Sequence, residues 1–362
     1  MSSYDTAYEI TNEMKAALLS WYEANKRDLP WRETGDPYHV WLSEIMLQQT
    51  RVEAVREKFI EFTSELPDIP SLAGCDDDRL MRLWEGMGYY SRARNLKKCA
   101  QALMNEYQGR LPEERDELIR LPGIGPYTAG AVSAIAYGRP AAAVDGNVMR
   151  VLARLFGMEE DIRDAHTKQL MEQIILHCYD TWIPDRHTVQ SFTQAWMEIG
   201  ALVCVPNGPP HCSECPFVHV CRAHLEETTD RIPYRSPLKQ RKIIEKTVLV
   251  IRDGEHFLLH KRPDTGLLAG LYEFPSVDAV LSVREALDET GRLGFEPLHI
   301  RRLPDSRHIF THLEWHMTAY EIRTASPLAC SEGYILADKK DLAQRAIPNA
   351  FQKYKDYYQL RD

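Results

Sequence analysis

The chain of 362 residues lacks an apolar run of membrane-spanning length and an N-terminal signal pattern, so a cytoplasmic protein with no membrane partner is expected. It also lacks a surplus of basic charge. Its 44 Lys and Arg against 53 Asp and Glu leave a formal net charge of -9, which excludes a nonspecific coat for nucleic acid but not a local basic footprint. Cysteine is sparse outside one stretch, with Cys75, Cys99, Cys178 and Cys330 dispersed, so a disulfide framework is excluded as the organising principle. What is present is ordinary for a folded protein: 44% hydrophobic and 27% charged residues, in a chain long enough for two cores.

The remaining four cysteines fall within eighteen residues. Cys204, Cys212, Cys215 and Cys221 are spaced Cys-x7-Cys-x2-Cys-x5-Cys after an apolar helical pattern at Phe192 to Val203. In a reducing compartment such a cluster reads as metal ligation, and tetrahedral thiolates suit either zinc or a 4Fe-4S cluster. Spacing alone leaves both open.

Leu121-Pro-Gly-Ile-Gly-Pro-Tyr-Thr-Ala-Gly130 punctuates two helical patterns. Gly123 and Gly125 are free to take positive φ, and Pro126 is suited to open a helix running from Tyr127 to Tyr137. The resulting hairpin either only joins two helices or aims unpaired N–H groups at a DNA phosphate. Val144-Asp-Gly-Asn147 follows, carrying one isolated carboxylate. Upstream, Glu44 lies in the helical pattern of Trp41 to Val52, where Val40, Ile45, Leu47 and Val52 can face a core. By pattern alone Glu44 is either a solvated helix residue or a catalytic acid.

Taken together, the Pro-Gly-Ile-Gly turn, Val-Asp-Gly-Asn and Ser43-Glu-Ile-Met-Leu-Gln-Gln-Thr50 resemble the helix-hairpin-helix glycosylases of the endonuclease III superfamily, and within it the adenine DNA glycosylases of the MutY type. The resemblance implies that Asp145 and Glu44 are catalytic, with Glu44 the acid that releases adenine. It also implies that Tyr127, standing where strand-cutting relatives carry a nucleophilic lysine, makes the enzyme monofunctional, because a Schiff base needs an amine. For the cysteines the resemblance selects a 4Fe-4S cluster. The family loop between the first two ligands has six residues and is usually basic; here it has seven, and Lys and Arg are absent from it.

The chemistry asks for two carboxylates in opposite states. A neutral acid near N7 protonates the departing base, and an ionised carboxylate stabilises the oxocarbenium-like sugar. Burial of Glu44 would raise its pKa, while hydrogen bonds from Asn147 and Tyr127 would keep Asp145 ionised. The target base must be flipped out of the duplex, at about a few kcal/mol. By resemblance Trp31, Arg32 and Gln194 line or contact the adenine pocket, and Tyr89 intercalates beside the lesion with Met87 and Gln49 nearby. Arg51, Arg92 and Arg94, with Arg27, Arg32, Lys97 and Lys98, offer a local basic footprint, to which the hairpin glycines Gly123 and Gly125 add a backbone grip.

Beyond Arg231-Ile-Pro-Tyr-Arg-Ser-Pro-Leu-Lys-Gln-Arg-Lys242, a proline-bearing basic connector, the pattern turns to α+β. Thr247 to Ile251 and His256 to His260 flank Asp253-Gly254, a hairpin signature; further strands are expected near Leu298 to Arg302, Leu313 to Ile322 and Gly333 to Ala337, and a helix near Val283 to Thr290. Leu268-Ala-Gly-Leu-Tyr-Glu-Phe-Pro275 and Arg284-Glu-Ala-Leu-Asp-Glu-Thr-Gly291 resemble parts of a Nudix box, with Asp288 and Glu289 as carboxylates able to face a metal. The glycine loop that bears another glutamate in active Nudix hydrolases is absent, which implies a scaffold without hydrolase activity. In the MutY-type family this domain reads 8-oxoguanine through a Phe-Ser-His loop, matched here by Phe310, Thr311 and His312.

The expected fold is therefore multidomain: an all-α helix-hairpin-helix glycosylase domain with an iron-sulfur loop at 1–228, a connector at 229–245 and an α+β Nudix-like domain at 246–362. The expected function is removal of adenine mispaired with 8-oxoguanine or guanine in double-stranded DNA by a monomer. A bifunctional lyase and a nucleotide pyrophosphatase tethered to DNA are the competing readings.

Overall fold

The computed structural model describes residues 8–180, 182, 184–237, 240–254, 256–325 and 333–359. Cys330 and connector residues 238 and 239 lie outside them. The chain divides into two compact units, one formed by Met1–Gly74 with Asn95–Pro237, the other by Cys75–Arg94 with Leu238–Asp362. No helix among the described residues is long and apolar enough to cross a membrane.

The first unit is helical. Asp36 caps the helix Pro37–Met46, accepting from Tyr38 N, and Pro37 occupies the first turn, where a missing N–H costs nothing. That helix stops at Leu47, and Gln49 takes a left-handed φ of 59° before the helix Val52–Glu65 begins. The Trp41 to Val52 stretch is thus two helices with a sharp break. Leu47 and Val52 flank that break and line a cavity instead of filling the core, whereas Val40 and Ile45 are buried.

The hairpin glycines divide the work differently from the sequence expectation. Gly123 has φ +76°, and a Cβ there would stand 2.5 Å from Asn95 Cβ. Gly125 has φ -89° and is the extended N-cap of the helix starting at Pro126. The helix is α over Pro126–Ala131 and π over Val132–Ala136. Gly130, within it, is required by contact: its Cβ would lie 1.8 Å from Ala142 O.

Asp145 caps the helix Gly146–Phe156, which closes on Gly157 in the left-handed region. Val148, Val151, Leu152 and Leu155 from this helix pack with Phe192, Trp196 and Ile199 of the helix Arg186–Leu202 into the core of the unit.

The second unit holds a mixed sheet of β1 (Lys242–Asp253), β2 (His256–Lys261), β3 (Tyr272–Glu273), β4 (Ser276–Val277), β5 (Pro297–Ile309), β6 (Leu313–Thr324) and β7 (Tyr334–Ala337). The order is β3-β2-β1-β6-β5, with β4 on β1 and β7 on β2. The expected hairpin forms, Arg252 facing Phe257 and Asp253 facing His256. β1 and β6 pair in parallel from Lys242↔Leu313 to Arg252↔Arg323. β1 is covered on both faces, which is why Val248-Leu-Val-Ile251 is apolar without alternation. Val248 and Val250 join Trp315, Met317, Phe351 and Tyr354 on one side, while Leu249 and Ile251 meet Ala286, Phe295 and Tyr320 on the other. The expected helix appears as Val283–Arg292, under a Ser282–Glu285 capping box.

Candidate active site

A cavity of about 590 Å³ in the first unit is lined by Trp31, Arg32, Glu44, Gln49, Tyr127, Asp145, Asn147 and Gln194, bringing most residues singled out for adenine chemistry to one place. Glu44 sits in the last turn of its helix and is 6% exposed. Burial pushes its carboxyl up to about 7, with the Asp145 charge adding to the rise, while the Tyr127 hydroxyl and Arg32 pull it back. Tyr127 donates to Glu44 Oε2 at 2.6 Å, and burial holds the phenol well above its ordinary value.

Asp145 has a different shell. Its Oδ1 accepts from Asn147 N at 2.9 Å and Val148 N at 2.8 Å, and its Oδ2 accepts from Asn147 Nδ2 at 2.9 Å. These bonds and Arg150 favour the carboxylate, but burial outweighs them and the pKa is raised. The structure therefore departs from expectation on two points: Tyr127 serves Glu44 and not Asp145, and hydrogen bonding moderates the upward shift of Asp145 without reversing it.

Behind Asp145, Arg150 donates to Asn147 Oδ1 at 2.8 Å, Gly200 O at 2.7 Å and Cys204 O at 2.5 Å. One buried guanidinium thus joins the carboxylate's amide partner to the start of the cysteine loop. Arg154, one turn on, donates to Cys204 Sγ at 3.3 Å and Val205 O at 3.3 Å. Neither arginine was singled out by sequence; the available signal was a pair at i and i+4 inside an apolar helical stripe. Glu198 was missed as well. It is fully buried, accepts from Arg27 Nε at 2.9 Å and Nη2 at 3.0 Å, and from Arg32 Nη2 at 2.8 Å. Burial opposes its ionisation, yet the two guanidinium groups prevail and hold the carboxyl at about 2. Arg27 and Arg32 are consequently wall residues of the cavity and not a free basic footprint. Lys168 also lines the cavity, from the first turn of the helix Ala165–Asp180.

Cys204, Cys212, Cys215 and Cys221 line one small pocket, with Phe217 and Arg154. Burial raises the thiols of Cys212, Cys215 and Cys221, Cys215 to about 12, and the charges of neighbouring cysteines add to the effect. Among the described residues no group of three or more His, Cys, Asp or Glu is arranged to hold a metal ion. His211 is exposed and does not line the pocket.

In the second unit Tyr89 and Met87 meet the 310–312 loop around a cavity of about 360 Å³ lined also by Phe310, Thr311 and His312. Tyr89 has φ +45°, is 48% exposed, and its hydroxyl lies 2.6 Å from Thr311 Oγ1. Tyr90 is buried. Phe310 N donates to Leu313 O across the β5–β6 turn, and its ring packs edge-on at 4.9 Å against Trp315. Arg92, expected to contact phosphate, is instead buried beneath Tyr89, donating to Met87 O at 2.7 Å and Gly88 O at 3.1 Å, and so is not presented to a phosphate. Arg94 likewise donates to Ala269 O at 2.6 Å. Arg51 is exposed at the start of the helix Val52–Glu65.

The Nudix-like carboxylates do not converge. Glu285 is engaged in its own helix cap, Glu289 pairs with Arg292 at 2.8 Å, and Asp288 is exposed. Glu273, from the Glu-Phe-Pro strand, is buried on Arg262 at 2.7 and 2.8 Å.

Comparison with known proteins bears on both units. Residues 42–176 match the family model of the HhH-GPD superfamily base excision DNA repair proteins, and residues 247–357 match that of the NUDIX domain. The chain is 33% identical to the adenine DNA glycosylase of Homo sapiens over 88% of its length and 69% of that protein. It is 33% identical to the adenine DNA glycosylase of Buchnera aphidicola subsp. Schizaphis graminum over 83% of its length and 84% of that protein. Among solved structures it resembles a thermostable thymine-DNA glycosylase, at 28% identity and a TM-score of 0.52, over 59% of this chain and 95% of that one. With a buried Glu44 and a half-buried Asp145 on one cavity, a Nudix-like second unit and relatives that match along most of its length, the chain belongs to the adenine DNA glycosylases, adenine-specific N-glycosylases of DNA base excision repair.

Proposed function

We propose that this glycosylase removes adenine opposite 8-oxoguanine or guanine as a monomer in the cytoplasm, and that it leaves the strand uncut. The observation that carries the reading is the pairing of Glu44 and Asp145 on one cavity in unlike surroundings.

Glu44, with its carboxyl near 7, holds a proton at neutral pH and delivers it to N7 of the flipped base as the C1′–N9 bond stretches. The electron pair of that bond leaves with the base, which departs as neutral adenine. Tyr127 fixes the orientation of the acid. Asp145, its oxygens held by two backbone N–H groups and the Asn147 amide, faces the developing sugar cation and stabilises it electrostatically or by transient covalent capture. Water then supplies hydroxide to C1′, and its proton restores Glu44. Trp31, Arg32, Gln49 and Gln194 form the walls that hold the base.

The four cysteines fit a 4Fe-4S cluster. All four line one pocket, and the resemblance to the MutY-type family supports a cluster over zinc. When bound, such a group would staple the 204–221 loop to the helix Gly146–Phe156; Arg154 beside Cys204 would offset thiolate charge. Opposite-base reading is assigned to Phe310, Thr311 and His312 with Tyr89; the Thr311–Tyr89 hydrogen bond supports a preformed contact surface there. The Nudix-like unit is assigned no hydrolysis, because its carboxylates are engaged or dispersed. The domain limits are proposed as 1–228, 229–245 and 246–362, with Cys75–Arg94 grouping with the second compact unit.

Single-turnover cleavage of duplexes with adenine opposite 8-oxoguanine or guanine, resolved with and without hot alkali, tests the reading. Alkali-dependent breaks forming faster opposite 8-oxoguanine are expected. Breaks without alkali that vanish in Lys168→Ala would replace it with a lyase reading, since Lys168 is the lysine on the cavity wall. Equal rates on both duplexes would remove the lesion-reading role.

A further inference from the structure

A second cavity in the first unit, of about 360 Å³, shares Trp31, Arg32, Val40, Ile135 and Gln194 with the catalytic one, so a single wall separates them. On its far side it is lined by Tyr22, Lys26, His187, Gln190 and Ser191. The charges around it disfavour an anion as the natural occupant. Lys26 is paired with Glu23 at 2.5 Å, and Arg27 and Arg32 are both held by Glu198, so each of these cations already has its carboxylate. Asp28 and Glu33 add negative charge to the same lining. What remains is the small part of the largely buried Tyr22 and Trp31 rings that reaches the cavity, and amide or hydroxyl groups from Gln190, Gln194 and Ser191. Such a lining suits a neutral, planar heterocycle with donors and acceptors on its edge. Gln194, on the shared wall, donates to Gln190 O at 3.3 Å, which leaves its side-chain oxygen to accept on either side.

The reaction supplies such a heterocycle and traps it. After the glycosidic bond breaks, the abasic strand still covers the side from which the nucleotide entered, so free adenine either waits for the DNA or leaves by another route. We propose that the second cavity is an exit subsite for free adenine: the base passes the Trp31–Gln194 wall and escapes between Lys26 and His187 while the abasic duplex stays bound. This inference rests on the reading of the first cavity as the adenine pocket.

The test uses the full chain and a duplex carrying tritiated adenine, with bond cleavage read as alkali-labile sites and base escape read by rapid filtration of the protein–DNA complex. In the native chain the base is expected to escape at least about tenfold faster than the duplex dissociates. His187→Trp and, independently, Lys26→Trp narrow the second cavity at exposed positions. Each is expected to slow base escape about fivefold or more while the bond-cleavage rate changes less than about twofold. Co-departure of base and duplex in the native chain, or unchanged escape in both variants, overturns the exit route. Absence of cleavage in the native chain is a different result: no free base forms, and the parent reading falls together with this one.

Discussion

The two units carry two sets of helix-borne carboxylates, and the contrast between them shows what turns a carboxylate into a reagent. Glu44 is withdrawn from water, Asp145 is half-buried, and both face one cavity, their hydrogen bonds coming from groups that do not neutralise them. Glu285, Asp288 and Glu289 sit on a helix of similar length, yet one closes a capping box, one faces solvent and one pairs with Arg292. Burial without a cationic partner raises the free energy of the charged form and stores it for chemistry. A cap or a surface ion pair consumes the same charge locally. Glu198 marks a third outcome, since it is buried as deeply as Glu44 but satisfied by two arginines, and so is architectural.

Removing the charge on either side of the contrast tests it. Glu44→Gln is expected to reduce single-turnover excision by about 10²–10⁴-fold, the usual range for a general acid, while binding to the mispaired duplex persists in a gel-shift assay. Asp145→Asn should lose a comparable amount with little loss of melting temperature, because asparagine caps the helix Gly146–Phe156 as well as aspartate does. Preserved excision in either variant would break the contrast.

Glu198→Ala should act on stability first. It strands two guanidinium groups in the wall, and the denaturant midpoint should report a loss of about 3–5 kcal/mol. Loss of excision in a fully stable Glu198→Ala protein would instead place Glu198 among the reagents.

The pH dependence has a defined sign. The active form of Glu44 is protonated, so excision should be undiminished by this group below about 7 and fall as pH rises through that value. The same raised pKa means that the folded state binds the extra proton. Its stabilising contribution is complete below the ordinary carboxylate range and is lost as pH rises through about 7, so Glu44→Gln should become the more stable protein on the alkaline side. A flat rate profile across pH 6–9 would remove Glu44 as the acid.

Smaller effects belong to the second unit. Thr311→Ala removes one hydrogen bond to Tyr89, and the ratio of rates opposite 8-oxoguanine and guanine should fall by roughly two- to tenfold, in line with about 0.5–1.5 kcal/mol per bond. Asp288→Asn with Glu289→Gln should leave excision within about twofold, because Asp288 is exposed, Glu289 is paired with Arg292, and neither lines the catalytic cavity. Metal-dependent pyrophosphate release from nucleoside triphosphates that disappears in this double variant would restore the hydrolase reading.

Much of this architecture is legible along the chain because it is written in local rules. Asp253-Gly254 between two apolar runs specifies the β1–β2 hairpin, and the cysteine spacing identifies the four that share a pocket. Val144-Asp-Gly-Asn147 stands out as one isolated carboxylate, which the structure uses as the N-cap of the helix that begins one residue later. Local rules also mislead where a contact is distant. The run from Trp41 to Val52 reads as one helix, but the left-handed Gln49 breaks it. Arg92 reads as a phosphate contact among aromatics and is drawn instead into the backbone of its own loop.

By itself the sequence determined the periodic elements, their caps and the chemical types gathered in each motif, since these depend on neighbours a few residues away. Tertiary structure alone decided which charges remain unpaired. Glu44 finds Tyr127 from 83 residues away, and Arg27 meets Glu198 across 171. Whether a carboxylate is a reagent, a cap or a strut depends on desolvation and on partners brought in by folding, and neither quantity is encoded in the spacing of nearby residues.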